Sequence, residues 1–257
     1  MNTGSYLLNR ALNYGDGLFE TILVIDAKIP LWPWHYQRLR EGLKQLKITL
    51  PKEQELLDKI RSLLPESGRY IVKLIVFRDD DKRGYASASH KYQYFISVNK
   101  KQKSFLSSEL GISPVRLSKQ KLLAGLKHLN RLEQVLAAQE LKRSNCHDAI
   151  MMTQKKHVIE TINKNIILFK DNKIYTPKLK NCGVYGVALR WLSAQGFEIK
   201  SKKIEFKQLA KYHGMMVCNS ITGFNSVTKI AQKIHYPHKN SLAGKISTLW
   251  NKRINES

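Results

Sequence analysis

A chain of 257 residues, 42% hydrophobic and 25% charged, has ordinary globular composition and the length of one compact unit or two closely packed halves. No apolar run approaches the roughly 20 residues of a membrane helix, and the start lacks the basic-then-apolar order of a signal peptide. Cys146, Cys182 and Cys218 are odd in number and form no Cys-x-x-Cys pair, which argues for reduced thiols in a cytoplasmic protein over a disulfide framework or a zinc site.

Forty-four Lys+Arg against 20 Asp+Glu give a net charge of +24. A field of this sign attracts nucleic acid, membrane surfaces or small anions. The excess is spread out: residues 1–103 hold 18 basic and 11 acidic side chains, and residues 104–257 hold 26 and 9. Lysines outnumber arginines 32 to 12, although arginine is the better bidentate phosphate reader. A solvated lysine-rich surface is the plainer reading, and a basic nucleic-acid-binding protein is the remote one; neither a nucleic-acid nor a membrane partner is expected.

The alternating run Leu18–Asp26 predicts a strand, turned by Asp26-Ala-Lys into a second strand over Ile29–Trp32. Pro33 precedes a helix to about Lys47, with Leu39, Leu43 and Leu46 at helical spacing, and Pro51 opens another to about Leu64. Tyr70–Phe77 and Tyr92–Val98 read as strands. Polar Lys100–Ser108 is the linker candidate, with the domain boundary at 104–108: an N-terminal domain over 1–103 and a C-terminal domain over 109–257. Then follow a strand over Gly111–Leu117 and a helix from about Leu129 to Arg143, with Leu129, Leu132, Val135 and Leu136 on one face. Ala149–Thr153, Val158–Thr161, Ile166–Lys170 and Lys173–Thr176 are short strands, joined by strands near Met215–Asn219 and Val227–Ala231 and helices over Gly186–Ala194 and Ser241–Arg253. Helices and strands mix without strict βαβ alternation, so the class is α+β. No Gly-x-Gly-x-x-Gly or Walker-type loop supports nucleotide binding.

Five segments could carry chemistry. Tyr14-Gly-Asp-Gly-Leu-Phe-Glu20 is explained equally by a tight turn before a strand. His35 and Arg38 share one helix face soon after Pro33, where an arginine can clamp a phosphate or carboxylate or simply be solvated. Lys127, in Gly125-Leu-Lys-His-Leu-Asn-Arg-Leu-Glu, adjoins apolar residues; a desolvated lysine is a free amine able to condense with an aldehyde cofactor. Glu160 lies among β-branched residues, either as a buried carboxylate needing a partner or as a strand-edge glutamate. Gly183-Val-Tyr-Gly-Val187-Ala188 feeds a helix whose free N–H groups suit an anion, and Cys218-Asn-Ser220-Ile-Thr adds hydroxyls.

In this order, Tyr-Gly-Asp-Gly-x-Phe-Glu, His-x-x-Arg-Leu, Gly-x-Lys, Glu-x-x-x-x-Asn and Gly-x-x-Gly-Val resemble the class IV (fold type IV) pyridoxal-phosphate enzymes over about Arg10–Ala231. The family includes branched-chain and D-amino-acid aminotransferases and aminodeoxychorismate lyases; the Lys-His-Leu-Asn-Arg-Leu-Glu run is most like the lyases. The resemblance implies two α/β domains with pyridoxal 5'-phosphate between them, a homodimer, and no metal. It implies Lys127 as the catalytic Schiff-base lysine, Glu160 beside the pyridine nitrogen, Arg38, Val187, Ala188 and Ser220 on the phosphate, and Arg83 with Tyr85 near the substrate carboxylate. Leu189, Tyr185 and Ile167 depart from the common pattern. The implied reaction is carbon–oxygen elimination from the anionic substrate aminodeoxychorismate, and the alternative is transamination of D-amino or branched-chain acids.

Overall fold

The computed structural model describes residues 9–102, 108–142, 146–237 and 240–255. The expected linker at 104–108 therefore lies outside the described residues, except for Ser108. The chain divides into two compact units, one of Met1–Gln102 with Leu126–Asn130, the other of Lys103–Gly125 with Arg131–Glu256. Helices and strands are mixed in an α+β arrangement.

The first unit is built on an antiparallel three-stranded sheet, ordered β1 (Gly17–Ile25), β2 (Arg69–Arg78), β3 (Tyr92–Lys100). Strand β1 buries Leu18, Glu20, Ile22 and Val24 on one face, following its alternation. Asp26 and Ala27 both take positive φ, 47° and 60°, and Ile25 and Lys28 exchange backbone hydrogen bonds of 3.0 and 2.9 Å. The second hairpin strand expected over Ile29–Trp32 does not form beyond this bridge. Pro30 has no N–H to continue the ladder, and the helix starts at Trp32.

A short helix α1 (Arg10–Tyr14) precedes the sheet, and α2 (Trp32–Leu46) and α3 (Glu53–Arg61) follow β1. Helix α2 buries His35, Arg38, Leu39, Gly42 and Leu43, a face at helical spacing, and ends with Lys47 in the left-handed region. The segment 126–130 belongs to this unit through its backbone. Phe19 N–H donates to the Lys127 carbonyl at 2.9 Å, and Leu129 N–H donates to the Gly17 carbonyl at 3.1 Å. This pairing delays the next helix, expected from about Leu129, to α4 (Leu132–Leu141).

The second unit holds two five-stranded sheets. One runs β13 (Ile234–His235), β12 (Lys229–Ile230), β4 (Glu109–Leu117), β5 (Ala149–Thr153), β6 (Val158–Thr161). The other runs β11 (Gly223–Val227), β10 (Gly214–Asn219), β7 (Asn165–Lys170), β8 (Lys173–Pro177), β9 (Ile199–Lys202). Leu110, Ile150, Ile166, Leu168, Ile204, Met215 and Val217 share one core, so the continuous apolar runs are explained by burial on both faces. Helices α5 (Val187–Ala194) and α6 (Ser241–Asn255) complete it.

Helix α4 carries the expected leucine face but does not bury it in the single chain. Its one buried residue is Ala137, while Leu132, Val135 and Leu136 stand 69%, 48% and 45% exposed in the single chain. The leucine face is therefore not core. No helix among the described residues is long and apolar enough to cross a membrane.

Candidate active site

In the first unit, three side chains on β1 and α2 form a buried polar cluster. Glu20 reaches into it because it occupies the inward face of β1. Arg38 and His35 reach it from one face of α2, three residues apart. Arg38 Nε donates to Glu20 Oε1 at 2.9 Å and Arg38 Nη2 to Glu20 Oε2 at 2.5 Å, the planar fork matching the carboxylate. His35 Nδ1 lies 2.6 Å from Glu20 Oε2. Burial alone would raise the Glu20 carboxyl, but Arg38 and the His35 hydrogen bond outweigh it and bring the pKa down to about 2. Burial holds the His35 pKa below its usual value, against the pull of Glu20.

An ionised Glu20 only accepts hydrogen bonds, so His35 Nδ1 is the donor and Nε2 carries the lone pair. That Nε2 is buried without a hydrogen-bond partner among the described residues. The Lys127 charge is among the influences on this ring. Lys127 itself is half-buried, its Nζ 4.3 Å from the centroid of the Phe19 ring. Arg83 is exposed, and Tyr85 is 90% exposed with its ring 5.5 Å from that of Tyr14. Their loop is anchored from below: buried Arg10 donates to the Gly84 and Tyr85 carbonyls at 2.9 and 3.1 Å, and Arg78 donates to the Ser89 carbonyl at 2.5 Å. Among the described residues Arg83 makes no ion pair with Asp79, Asp80 or Asp81.

In the second unit, Glu160 is buried on edge strand β6, 5% exposed, and its Oε2 accepts the Val184 N–H at 2.9 Å. Asn165 ties the same turn: its Oδ1 accepts the Gly186 N–H at 3.0 Å and its Nδ2 donates to the Val184 carbonyl at 2.7 Å. Gly186 has to be glycine here, because a Cβ would lie 2.0 Å from Asn165 Oδ1. The turn delivers the chain into α5, which no described side chain caps. The first amides of a helix have no intrahelical acceptor, so the N–H groups of Val187 and Ala188 present partial positive charge to an anion. Ser220 is buried in the β10–β11 turn, which is fastened by Asn219 Oδ1 accepting the Ile221 and Thr222 amides at 3.0 and 2.8 Å.

The expected site residues thus divide between the units: Lys127, Arg38, Arg83 and Tyr85 in the first, Glu160, Val187, Ala188 and Ser220 in the second. The residue types fit an anionic aromatic cofactor. There is an amine, a buried guanidinium held in a fixed orientation, an acceptor nitrogen lacking a donor, a buried carboxylate and an uncapped helix start. No group of three or more His, Cys, Asp or Glu among the described residues is arranged to hold a metal ion. Sequence reasoning gave no role to Glu20 or Asn165. The signal for Glu20 was its place on the apolar face of an alternating strand, where a carboxylate must find a cation.

Residues 17–230 match the model of the amino-transferase class IV family, and the chain belongs to that family. It is similar to the aminodeoxychorismate lyase of Vibrio harveyi, 31% identical, with 89% of each chain covered. The corresponding lyase of Bacillus subtilis is 25% identical over 94% of this chain and 86% of the relative. Among solved structures, 4-amino-4-deoxychorismate lyase from Pseudomonas aeruginosa superposes with a TM-score of 0.86 at 32% identity, covering 96% of this chain and 94% of that one.

Proposed function

We propose that this protein is a pyridoxal-phosphate-dependent lyase that converts 4-amino-4-deoxychorismate to 4-aminobenzoate and pyruvate, in folate biosynthesis. The observation that carries this reading is the grading of similarity. Identities of 31% and 32% over most of the chain are to lyases, above the 21–25% of the branched-chain and D-alanine aminotransferases, although the Bacillus subtilis lyase stands at 25% as well.

Pyridoxal phosphate supplies an electron sink when bound, and the chain supplies orientation and charge. In the first unit, Arg38, whose guanidinium is oriented by Glu20, would neutralise phosphate. In the second unit, the Val187 and Ala188 amides and Ser220 would hold phosphate. Glu160 would pair with the ring nitrogen and favour its protonated form. The Lys127 amine would hold the cofactor through its aldehyde, and it is the chain's base for the proton on the amine-bearing carbon of the substrate. The adjacent carbon–oxygen bond breaks, the enolpyruvyl group leaves and becomes pyruvate, and the ring becomes aromatic. Arg83 and Tyr85 bind substrate carboxylate. The protein works as a homodimer, a reading supported by the uncovered Leu132, Val135 and Leu136 on α4.

The deciding experiment is incubation of the purified protein with aminodeoxychorismate. Release of 4-aminobenzoate and pyruvate in equal amounts is the expected result. Transfer of an amino group from a D-amino or branched-chain acid to a 2-oxo acid, without 4-aminobenzoate formation, would overturn it.

A further inference from the structure

A concave site lies wholly within the C-terminal unit, in a cavity of about 310 Å³. Lys119, Lys155, Lys178, Lys180, Lys203 and His157 line it, and no carboxylate does. Its floor is apolar, of buried Val158, Ile159 and Ile204.

The walls are held by backbone rather than by the lysines. The β5–β6 turn is closed by Thr153 N–H to the His157 carbonyl at 3.0 Å, and it is stitched to the segment after β9 by Val158 N–H to the Ile204 carbonyl at 2.9 Å. Lys178 N–H donates to the Lys202 carbonyl at 2.9 Å, and Gln120 N–H to the Asn181 carbonyl at 2.8 Å. Four segments distant in sequence therefore carry their lysines to one fixed mouth.

The carboxylates nearest this cavity are engaged. Glu205 is 3.2 Å from Lys207, Glu133 accepts the Ser118 amide at 2.7 Å, and Glu160 accepts the Val184 amide. Among the described residues none of the five lysines makes an ion pair. Five like charges around one hollow repel each other, and a multiply charged anion relieves that repulsion. The His157 imidazole is held below its usual pKa by burial and by Lys203, Lys119 and Lys155, against Glu205.

We propose that this cavity is a binding site for a small polyanion carrying phosphate or several carboxylate groups, separate from the residues assigned to the cofactor. Its volume is at the low end for small-molecule pockets. Its lining offers no phenylalanine, tyrosine or tryptophan on which a nucleic-acid base could stack, only the His157 imidazole, and no arginine. The site stands independently of the proposed lyase activity.

The test is calorimetric titration of the cofactor-loaded protein with inorganic pyrophosphate, with citrate and with a single-stranded oligonucleotide. The variants are Lys155→Gln/Lys178→Gln/Lys203→Gln and, as a charge-matched control, Lys52→Gln/Lys59→Gln/Lys245→Gln, all at exposed positions. Pyrophosphate or citrate should bind once per chain, with affinity that falls about tenfold or more in the cavity variant, is kept in the control, and weakens with salt. Pyrophosphate should also raise the melting temperature of the parent and not of the cavity variant. The proposal fails if neither small anion binds at about 10 mM, a level at which even millimolar affinity saturates. It also fails if both variants lose binding alike, or if the oligonucleotide alone binds through these lysines.

Discussion

Glu20 and Arg38 hold each other inside the N-terminal unit by two parallel hydrogen bonds, from strand to helix, with less than a tenth of either residue exposed. A buried pair of this kind is weak as a source of net stability but costly to break from one side. Glu20→Gln should therefore lower unfolding stability by about 3–5 kcal/mol, read by urea denaturation. Glu20→Gln should also loosen cofactor binding, because the guanidinium loses its fixed orientation. A variant as stable as the parent would show that the pair does not hold α2 on β1.

Acid stability follows from the same cluster. His35 has a folded pKa below its unfolded value, so its contribution is complete above about pH 6.5 and declines as pH falls below that. Glu20, depressed from 4.5 to about 2, contributes above pH 4.5 and loses its share as pH falls toward 2. That second share is about 3 kcal/mol by linkage. Stability measured against pH should thus begin to fall near pH 6.5 and steepen below 4.5. His35→Phe should flatten the upper part and shrink the lower part without abolishing it, because Arg38 still depresses Glu20 once the His35 hydrogen bond is gone.

Lys127→Ala should abolish turnover and prevent borohydride from fixing the cofactor to the protein. In the parent, the fixed label should map to the peptide containing Lys127. A label on any other lysine removes Lys127 from its assigned role.

Glu160→Gln should keep the turn, since an amide oxygen can still accept the Val184 N–H. Cofactor should remain bound, while kcat falls by about two decades or more because a neutral amide no longer favours the protonated ring nitrogen. Loss of cofactor with the turn intact would assign Glu160 to binding instead.

Arg83 has no carboxylate partner in its own loop, so its charge is available to a ligand. Arg83→Ala should reduce kcat/KM by one to two decades, about 1.5–3 kcal/mol, without changing cofactor affinity. Arg83→Lys should recover only part, because lysine lacks the planar fork. Unchanged kinetics with aminodeoxychorismate would return Arg83 to the solvated surface.

Much of the fold could be read from pattern. The alternation of β1 and β2, the turn at Asp26-Ala27 and the apolar face of α2 are local properties, and each appeared near its expected residues. What failed was non-local. Leu129 read as the first residue of a helix because of its spacing from Leu132, but its amide is claimed by Gly17, 112 positions earlier. The apolar face of α4 was legible, but periodicity reports amphipathicity and not what covers that face, and in the single chain it stays exposed. At the site, the resemblance named residue types, but the binding of Arg38 to Glu20 depends on strand-to-helix packing that no single segment encodes.

The pairing of residues 126–130 with β1 also bears on the order in which the chain can fold. Strand β1 lies at the margin of its sheet, and the later segment covers that margin by backbone bonds to Gly17 and Phe19 and by Asn130 Nδ2 to the Gly15 carbonyl, 115 residues apart. During synthesis the first hundred residues emerge with this strand uncovered, and an uncovered strand invites pairing with another chain. A fragment ending at residue 102 should therefore associate through β1, whereas the same fragment linked to residues 126–130 should remain dispersed.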